Sequence, residues 1–396
     1  MSSKRSDWNV SVIAWGEPSD PRSFSGYSHY LTRELKRQGA VRHEFSAKCI
    51  SYSDMLRGAF TFKKNGRLLP KVVVSRAWMW SEAGQRRLSR RFADLLRQSG
   101  DRGPMLQVGT LVEVPKEVGP HYMLTDMTIP QADREGMFAV GQMSRDSIRH
   151  AIDVQRRVLH SSHHIFVLTE WCRQSMIEDF QLDPDKITVV YAGANLRIPE
   201  GVSEATEQRI DRETLFVGID WIRKGGPLLI EAFRKVRAKL PDATLRIVGC
   251  NPHLHHEPGV IVEGYLDKRD PKQYEKLAKF YLRANCFCLP SQFDPFPNVI
   301  IEAASVGMPS VAVDNGSRRE AVLDGVTGAL AAEPTADSVA GAMIRVLENP
   351  AKCREMGEAA RRHAADHFTW ERVVAKIADV VRGTEKPAAV AAAAGA

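Results

Sequence analysis

Short apolar runs alternate with amphipathic segments along most of the chain. In the first half these runs are VSVIAW (10–15), KVVVSRAW (71–78), GPMLQVGTLV (103–112), HYMLTD (121–126), HHIFVLT (163–169) and KITVVYAGAN (186–195). Between several of them, apolar residues recur at helical spacing, as in YSHYLTRELKRQG (27–39) and DSIRHAIDVQRRVLH (146–160). Continuous apolar strands that alternate with amphipathic helices are typical of parallel sheets covered on both faces. The pattern therefore predicts an α/β fold.

A polar segment with weak periodicity separates this half from a second series of the same kind. The segment is RIPEGVSEATEQRIDRE (197–213), and the next apolar runs are TLFVGID, TLRIVG, GVIVEG, ANCFCLP and PSVAV. We therefore expect two doubly wound, Rossmann-like domains facing each other across a cleft, with ligands at the carboxyl ends of the strands. The expected boundaries are 1–200 and 205–369. A helix at 370–383 should pack back on the first domain, and the Ala-rich tail at 384–396 should be disordered.

Composition narrows the class of protein. With 43% hydrophobic and 26% charged residues, the chain has ordinary globular usage. It has no apolar run of the roughly 18 residues that a membrane span needs, and its start has no apolar signal core. Six scattered cysteines without a C-x-x-C pair indicate reduced, mostly buried thiols. These features predict a cytoplasmic protein.

The net charge of +7 is unevenly distributed. Residues 1–200 contain 29 Lys and Arg against 22 Asp and Glu, whereas residues 201–396 contain 26 of each sign. The first half therefore holds the whole excess, which suggests contact with something anionic. Ordinary scatter of surface charge is the alternative.

Two carboxylates flank a turn in SQFDPFPNVIIEAASVGMPSVAV (291–313). Asp294 lies in the loop after a predicted strand, and Glu302 lies one turn into the helix that follows. Ionised carboxylates accept hydrogen bonds from hydroxyl groups, and a helix N-terminus favours an anion. The arrangement suits a long ligand that has both hydroxyls and a charged group. The alternative, a loop acid and a solvated helix face, fits poorly with the apolar neighbours of Glu302.

A basic loop opens the second domain. FVGIDWIRKGG (216–226) is a strand followed by Arg223, Lys224 and two glycines, which suits a diphosphate because the glycines permit close approach of the backbone. A simple surface pair of cations is the alternative for these two residues.

The long motif SQFDPFPNVIIEAASVGMPSVAVDNGSRREAVLDGVTGAL (291–330) resembles the donor-site signature of the retaining GT-B glycosyltransferases of family 4. It supplies two acids separated by seven residues, then Glu-Ala, a Gly-x-Pro and a loop with Gly and Glu. FVGIDWIRKGG is similar to the diphosphate loop of that family, and HFTWERVVAKI (367–377) to its closing helix. The resemblance covers most of residues 10–383. It implies the GT-B fold and transfer of a sugar from a nucleotide-diphosphate sugar to an acceptor hydroxyl.

The resemblance also implies residue roles. The first domain would be the acceptor side and the second would bind the donor. Glu302 would hold the ribose of the nucleotide, Asp294 the hydroxyls of the transferred sugar, and Lys224 the diphosphate. The other implied contacts are main-chain N–H groups near Phe296, Asn298 and Val299 for the sugar and phosphates, Tyr265 and Leu266 for the nucleobase, and Ser25-Gly26 near the diphosphate unless they form only a turn.

Three positions depart from the family pattern. Asp294 is one methylene shorter than the usual Glu, and Gly218-Ile219 replaces a Gly-Arg pair, so that Arg223 is the candidate substitute for the missing guanidinium. The family histidine near the end of a first-domain strand has no obvious counterpart. Asp126 lies about there, as a catalytic group or as a turn or capping residue.

The resemblance implies a mechanism without a covalent glycosyl-enzyme, in which the leaving phosphate accepts the proton of the acceptor. It also implies that no cofactor or metal is essential. His253, His255 and His256 could ligate a metal, but a variable loop is the preferred interpretation. Two other functions stay open: a sugar-nucleotide epimerase on the same fold, and a catalytically silent protein that binds carbohydrate or nucleotide.

A basic amphipathic segment lies at 81–100. Its apolar stripe consists of Leu88, Phe92, Leu95 and Leu96, and the flanking cations are Arg86, Arg87, Arg90, Arg91 and Arg97. Such a helix can lie on an anionic membrane, which would make the protein peripheral at the inner face. It can instead pack its stripe on the sheet and leave the arginines solvated or holding an anionic acceptor. Nucleic acid is not expected, because no aromatic residues interleave with the arginines.

Overall fold

The computed structural model describes residues 8–21, 26–48, 63–64, 67–68, 81–110, 112–141, 143–203, 209–254 and 257–383. The chain divides into two compact units, Met1–Tyr191 with Trp370–Ala396, and Ala192–Thr369. Several sequence predictions lie outside the described residues, namely the strand at 71–78, Ser25, His255, His256 and the tail at 384–396.

The first unit is built on a parallel sheet in the order β2-β1-β5-β6-β7-β8. Its strands are β1 (Val10–Ala14), β2 (Val41–Ser46), β5 (Met105–Val108), β6 (His121–Thr125), β7 (His164–Val167) and β8 (Ile187–Val189). The short pair β3 (Lys63–Lys64) and β4 (Arg67–Leu68) forms a separate antiparallel ladder. The helices are α1 (Tyr27–Arg37), α2 (Glu82–Ser99), α3 (Ile129–Arg134), α4 (Phe138–Gly141), α5 (Arg145–Ser161), α6 (Glu170–Phe180) and, after the second unit, α13 (Trp370–Val381).

Helix α13 completes the first unit by packing on α1. The Trp370 ring stacks on Tyr30 at a centroid distance of 6.4 Å and meets Tyr27 edge-on at 6.3 Å. At the other end of α1, Arg37 lies 3.7 Å from Glu371. The chain therefore returns to its first unit through aromatic contacts as well as charge.

The apolar stripe of helix α2 packs in the protein core, which decides between the two uses that its sequence allowed. Its start is capped by Ser81, whose hydroxyl accepts from the Gly84 N–H, and its Leu88, Phe92 and Leu96 side chains lie in the core of the first unit. Only Leu95, 36% exposed, reaches the surface appreciably. The stripe is therefore not available for insertion into a bilayer, and an anionic surface could be met only by the exposed arginines of this helix, Arg86, Arg90 and Arg97.

The second unit has a parallel sheet in the order β11-β10-β9-β12-β13-β14. Its strands are β9 (Glu213–Val217), β10 (Thr244–Val248), β11 (Val260–Gly264), β12 (Cys286–Leu289), β13 (Ser310–Val313) and β14 (Gly328–Ala331). Its helices are α7 (Gly226–Lys239), α8 (Pro271–Arg283), α9 (Asn298–Ser305), α10 (Arg318–Ala321), α11 (Ala336–Leu347) and α12 (Pro350–His367). The predicted α/β class with two Rossmann-like parallel sheets is confirmed.

The order of strands locates the ligand-binding edge of the second sheet. Counted along the chain from β9, it is 3-2-1-4-5-6, so the direction of winding reverses between β9 and β12. In open α/β sheets the crevice at this reversal, outside the carboxyl ends of the strands, is where ligands bind. The loops that meet there follow β9 and β12, and these loops carry the two motifs singled out from the sequence.

Two further findings concern the surface and the thiols. In the described part of the chain, no helix is long and apolar enough to cross a membrane. Cys172, Cys286, Cys288 and Cys353 are free and buried, whereas Cys250 is half-buried. The buried, reduced thiols agree with the sequence prediction for these residues.

Candidate active site

The loops after β9 and β12 are joined directly. The Gln292 N–H donates to the Arg223 carbonyl oxygen at 3.2 Å, and the Arg223 guanidinium donates to the Phe293 carbonyl oxygen at 3.1 Å. Gly225 allows this approach, because its φ is +79° and a Cβ atom there would lie 1.9 Å from the Pro290 carbonyl oxygen. A side chain at this position would therefore separate the two loops.

Lys224 and Asp294 form an ion pair between these loops. The Lys224 ammonium contacts Asp294 Oδ2, and the two side chains are only 13% and 9% exposed. The sequence assigned these groups to different parts of a donor, the lysine to the diphosphate and the acid to the sugar. In the ligand-free protein they neutralise each other, so an entering diphosphate would have to compete with Asp294 for the ammonium.

The Arg223 side chain binds groups of the two loops themselves. Its Nε atom is 3.3 Å from Asp220 Oδ2, and its main-chain N–H donates to Asp220 Oδ1 at 3.1 Å. With its bond to Phe293, the guanidinium links both loops at their surface. Ile219, which stands where the family has an arginine, is 74% exposed.

Helix α9 begins at this edge without a side-chain cap. Pro297 precedes it and offers no side-chain acceptor. Among the described residues, the main-chain N–H groups of Asn298 and Val299 make no backbone hydrogen bond, as is usual in the first turn of a helix. The Asn298 Oδ1 atom is also buried without a partner. The two N–H groups can donate to an anion, and the Asn298 Oδ1 atom can accept from a hydroxyl.

Phe296 contributes through its backbone position only. Its ring is buried and meets Phe368 edge-on at a centroid distance of 6.1 Å. The aromatic contact anchors the turn between Asp294 and α9 on the body of the second unit.

Glu302 is held deep in the second unit. Its side chain is 1% exposed, Tyr281 donates its hydroxyl to Oε2 at 2.6 Å, and Lys268 Nζ lies 3.3 Å from Oε1. The carboxylate is therefore neither solvated nor on an outer helix face, which removes the alternative weighed from the sequence.

The loop after β11 borders this carboxylate through Lys268. In the same loop Tyr265 is 61% exposed and Leu266 is half-buried, so both can be reached by a ligand. Lys268 and Tyr281 were missed from the sequence. The only signal for Tyr281 in the sequence was its hydroxyl-bearing side chain among apolar residues near the end of α8.

Arg318 is a second group that the sequence did not reveal. It is almost fully buried, and its guanidinium donates to the Ser291 hydroxyl at 3.0 Å and to the Asn315 carbonyl oxygen at 3.0 Å. Ser317 donates its hydroxyl to the Pro295 carbonyl oxygen at 2.5 Å. These bonds hold the loop that contains Asp294 against the segment that begins α10.

Gly26 and Asp126 belong to the first unit. Gly26 is buried and begins α1 with a φ of +91°, a conformation that favours glycine. Asp126 follows the last residue of β6 and is half-buried. His121 lies at the opposite end of that strand, where burial, reinforced by the charge of Lys186, lowers its pKa to about 3. It therefore stays neutral and is not a counterpart of the family histidine.

Cavity volume alone does not identify the site. The first unit has a cavity of about 490 Å³ beside Lys116 and His121, at the amino ends of its strands, and one of about 470 Å³ between α2 and α5. Neither is at the carboxyl edge of a sheet, where the motif residues converge. We place the site by chemistry and topology instead.

Comparison with known proteins gives a family match for most of the second unit. Residues 204–363 match the family model described as glycosyl transferases group 1. The chain is 27% identical to D-inositol 3-phosphate glycosyltransferase of Corynebacterium aurimucosum, over 57% of this chain and 58% of that protein. It is 30% identical to the GDP-mannose-dependent alpha-(1-6)-phosphatidylinositol monomannoside mannosyltransferase of Mycolicibacterium smegmatis, over 41% and 45%. The chain thus spans about half the length of these curated relatives.

A solved structure extends the similarity in fold to nearly the whole chain. Sucrose-phosphate synthase from Thermosynechococcus elongatus superposes with a TM-score of 0.68 at 17% identity, covering 95% of this chain and 98% of that one. At this identity the likeness concerns the fold. Residues 204–363 are therefore similar to group 1 of the glycosyl transferases, and the two Rossmann-like units match the GT-B fold.

Proposed function

We propose that the protein is a retaining glycosyltransferase that moves a sugar, most simply a hexose, from a nucleoside-diphosphate sugar to an acceptor hydroxyl. The observation that carries the proposal is the convergence of Lys224, Asp294 and the buried Glu302 at the winding reversal of the second sheet. Its support is the match of this unit to a glycosyltransferase family and the resemblance of its motif to family 4.

The donor would lie along the carboxyl edge of the second sheet. Glu302 would accept hydrogen bonds from the ribose, with Tyr265 and Leu266 beside the nucleobase. The diphosphate would contact Lys224 and Arg223, together with the N–H groups at the start of α9. Asp294, released from Lys224, would accept from hydroxyls of the transferred sugar. Gly26 and Asp126 remain proposed contacts from the first unit.

The chemistry assigned to these groups is electrostatic. The bond between the anomeric carbon and the diphosphate oxygen breaks, and the acceptor oxygen bonds to that carbon on the same face. The acceptor proton passes to an oxygen of the departing phosphate. Lys224 and the helix N–H groups would stabilise the charge that grows on the leaving group, a contribution that is often the largest in catalysis. No side chain needs to act as a nucleophile, in contrast to retaining hydrolases.

The acceptor is proposed to be anionic. The basic surplus lies entirely in residues 1–200, and Arg86, Arg90 and Arg97 of α2 are exposed. A soluble phosphorylated polyol and an anionic glycolipid both satisfy this requirement. No cofactor and no essential metal are part of the proposal, so transfer should proceed in excess chelator. Restoration of lost activity by one metal would contradict that point.

The test is turnover of defined donors. UDP-, GDP- and ADP-sugars are each incubated with phosphorylated and lipid acceptors, and released nucleoside diphosphate is measured together with the anomeric configuration of the product by NMR. Acceptor-dependent release with retained configuration is expected. Conversion of the donor without acceptor would indicate an epimerase. Binding without release for any acceptor would indicate a silent binding protein, and a sugar covalently trapped on Asp294 or Asp126 would refute the mechanism.

A further inference from the structure

Tyr281 is a fully buried phenol that is bonded to a fully buried carboxylate. It lies near the end of α8, and its ring stacks on Phe287 at a centroid distance of 6.1 Å and an interplanar angle of 11°. Its hydroxyl donates to Glu302 Oε2 at 2.6 Å. Because the ring is fully buried and stacked on Phe287, the hydroxyl cannot follow the carboxylate if that group rotates.

The two oxygens of Glu302 consequently have different surroundings. Oε2 is bonded to the interior phenol, whereas Oε1 faces Lys268 Nζ at 3.3 Å. The Lys268 side chain is 43% exposed and belongs to the loop after β11 that also contains Tyr265. The carboxylate thus has an inner oxygen and an outer oxygen, and the outer one is covered by a movable cation.

The phenol stays protonated at any physiological pH. Burial, followed by the negative charge of Glu302 and the hydrogen bond to it, raises the pKa of Tyr281 well above its ordinary value. Tyr281 is therefore a permanent donor to Oε2. Without that donor, the terminal torsion of a glutamate is broad and only weakly fixed.

We propose that Tyr281 is a positioning residue for nucleotide recognition. By fixing Oε2 it presents Oε1 of Glu302 to a ribose hydroxyl, and Lys268 neutralises this oxygen until a nucleotide displaces its ammonium. The inference rests on the proposed function. It predicts that the discrimination between ribose and deoxyribose depends on a phenol that never touches the ligand.

The test is a cycle that combines a change in the protein with a change in the ligand. UDP, GDP and ADP are titrated calorimetrically into the full chain, and the nucleotide that binds is compared with its 2′-deoxy and 3′-deoxy analogues for wild type, Tyr281→Phe and Tyr274→Phe. Tyr274 is the matched control, because it lies on the same helix but its hydroxyl accepts from the Arg197 main-chain N–H at 2.7 Å. Wild type and Tyr274→Phe should lose at least about tenfold in affinity with one of the deoxy analogues. In Tyr281→Phe that loss should shrink to within about threefold, through weaker binding of the ribonucleotide.

A Tyr281→Phe variant that melts like wild type and keeps the full deoxy penalty would overturn the inference, while the proposed function would stand. Failure of wild type to bind all three nucleotides would instead overturn the proposed function. Should Tyr281→Phe not fold, Glu302→Ala and the double variant Tyr281→Phe/Glu302→Ala provide the answer, since both lack the side-chain oxygen that the phenol would position. The loss of affinity with the deoxy analogue should be the same in these two variants. A further change caused by the phenol when the carboxylate is absent would contradict the proposal.

Discussion

Replacement of Asp294 by Asn should separate binding of the leaving group from transfer of the sugar. In the free protein Asp294 occupies the ammonium of Lys224, and both side chains are about nine-tenths buried. A diphosphate that contacts the same ammonium would lie roughly 5 Å from the Asp294 carboxylate. At an effective dielectric constant of about 20, the repulsion between two unit charges at that distance is about 3 kcal/mol. Solvent that enters the open edge reduces this value.

We therefore expect Asp294→Asn to bind the nucleoside diphosphate about tenfold more tightly, which corresponds to about 1.4 kcal/mol. Transfer should fall by about ten- to a hundredfold, because the sugar loses a charge-assisted hydrogen bond of about 1.5–3 kcal/mol. The ligand-free variant should also melt at a lower temperature, since Lys224 loses its partner, and the nucleotide should restore much of the loss.

The assay pairs calorimetric titration of the nucleoside diphosphate with initial rates of nucleotide release. Asp337→Asn is the control, because Asp337 is an exposed acid of the same unit whose partner, Lys235, is not among the proposed donor contacts. It should change neither quantity more than about twofold, as befits an exposed ion pair. Weaker nucleotide binding by Asp294→Asn, or an unchanged transfer rate in the folded variant, would refute the competition between Asp294 and the diphosphate.

Three further predictions concern stability and the protein surface. Gly225→Ala should lower the free energy of unfolding in urea by at least about 2 kcal/mol, because the new Cβ clashes with Pro290 and the residue must keep a left-handed backbone conformation. Gly341→Ala, in the middle of α11 where a Cβ meets nothing within 4 Å, should instead raise it by about 0.5–1 kcal/mol, and equal effects of the two changes would contradict the loop geometry. Burial lowers the pKa of His121 to about 3, so the unfolded chain takes up the proton first and stability should fall as pH drops below about 6.5, by about 1.4 kcal/mol per pH unit for this group. The urea midpoint of His121→Phe should then decline less steeply between pH 7 and 5 than that of wild type, and parallel declines would refute the assignment. Wild type should co-sediment with anionic liposomes through charge alone, so about 0.5 M salt should release it. If a variant with Arg86, Arg87, Arg90 and Arg91 all changed to Ser sediments as much as wild type, the arginines do not make the contact.

The central strands of both sheets and the edge strands β8 and β11 could be predicted from the sequence, whereas the edge strands β2 and β14 could not. Strands such as β1, β6 and β12 are buried on both faces and read as continuous apolar runs. The strand β2 is an edge strand with a mixed sequence, VRHEFS, in which only Phe45 is buried. The strand β14 is another edge strand, with the short sequence GALA. Edge strands need less apolar surface, so hydrophobic pattern alone missed these two.

The same distinction holds for the candidate site. Asp294, Glu302 and Lys224 were accessible from the sequence because each belongs to a motif of fixed spacing. Tyr281, which bonds to Glu302, and Arg318, which holds the neighbouring loop, were not, because they reach the site through tertiary packing; Tyr281 and Glu302 are 21 positions apart in the sequence. The amphipathic stripe of α2 likewise had two physically reasonable uses, and only its burial decided between them.

A nucleoside diphosphate should bind at the carboxyl edge of the second sheet. Hydrogen–deuterium exchange on the full chain, with and without a saturating nucleotide chosen from UDP, GDP and ADP by thermal shift, tests it directly. Exchange should slow in peptides covering 218–226, 264–268 and 291–302, and that protection should be lost in Glu302→Ala at the same nucleotide concentration. Binding that leaves these three segments unchanged, or that protects only segments of the first unit, would contradict it.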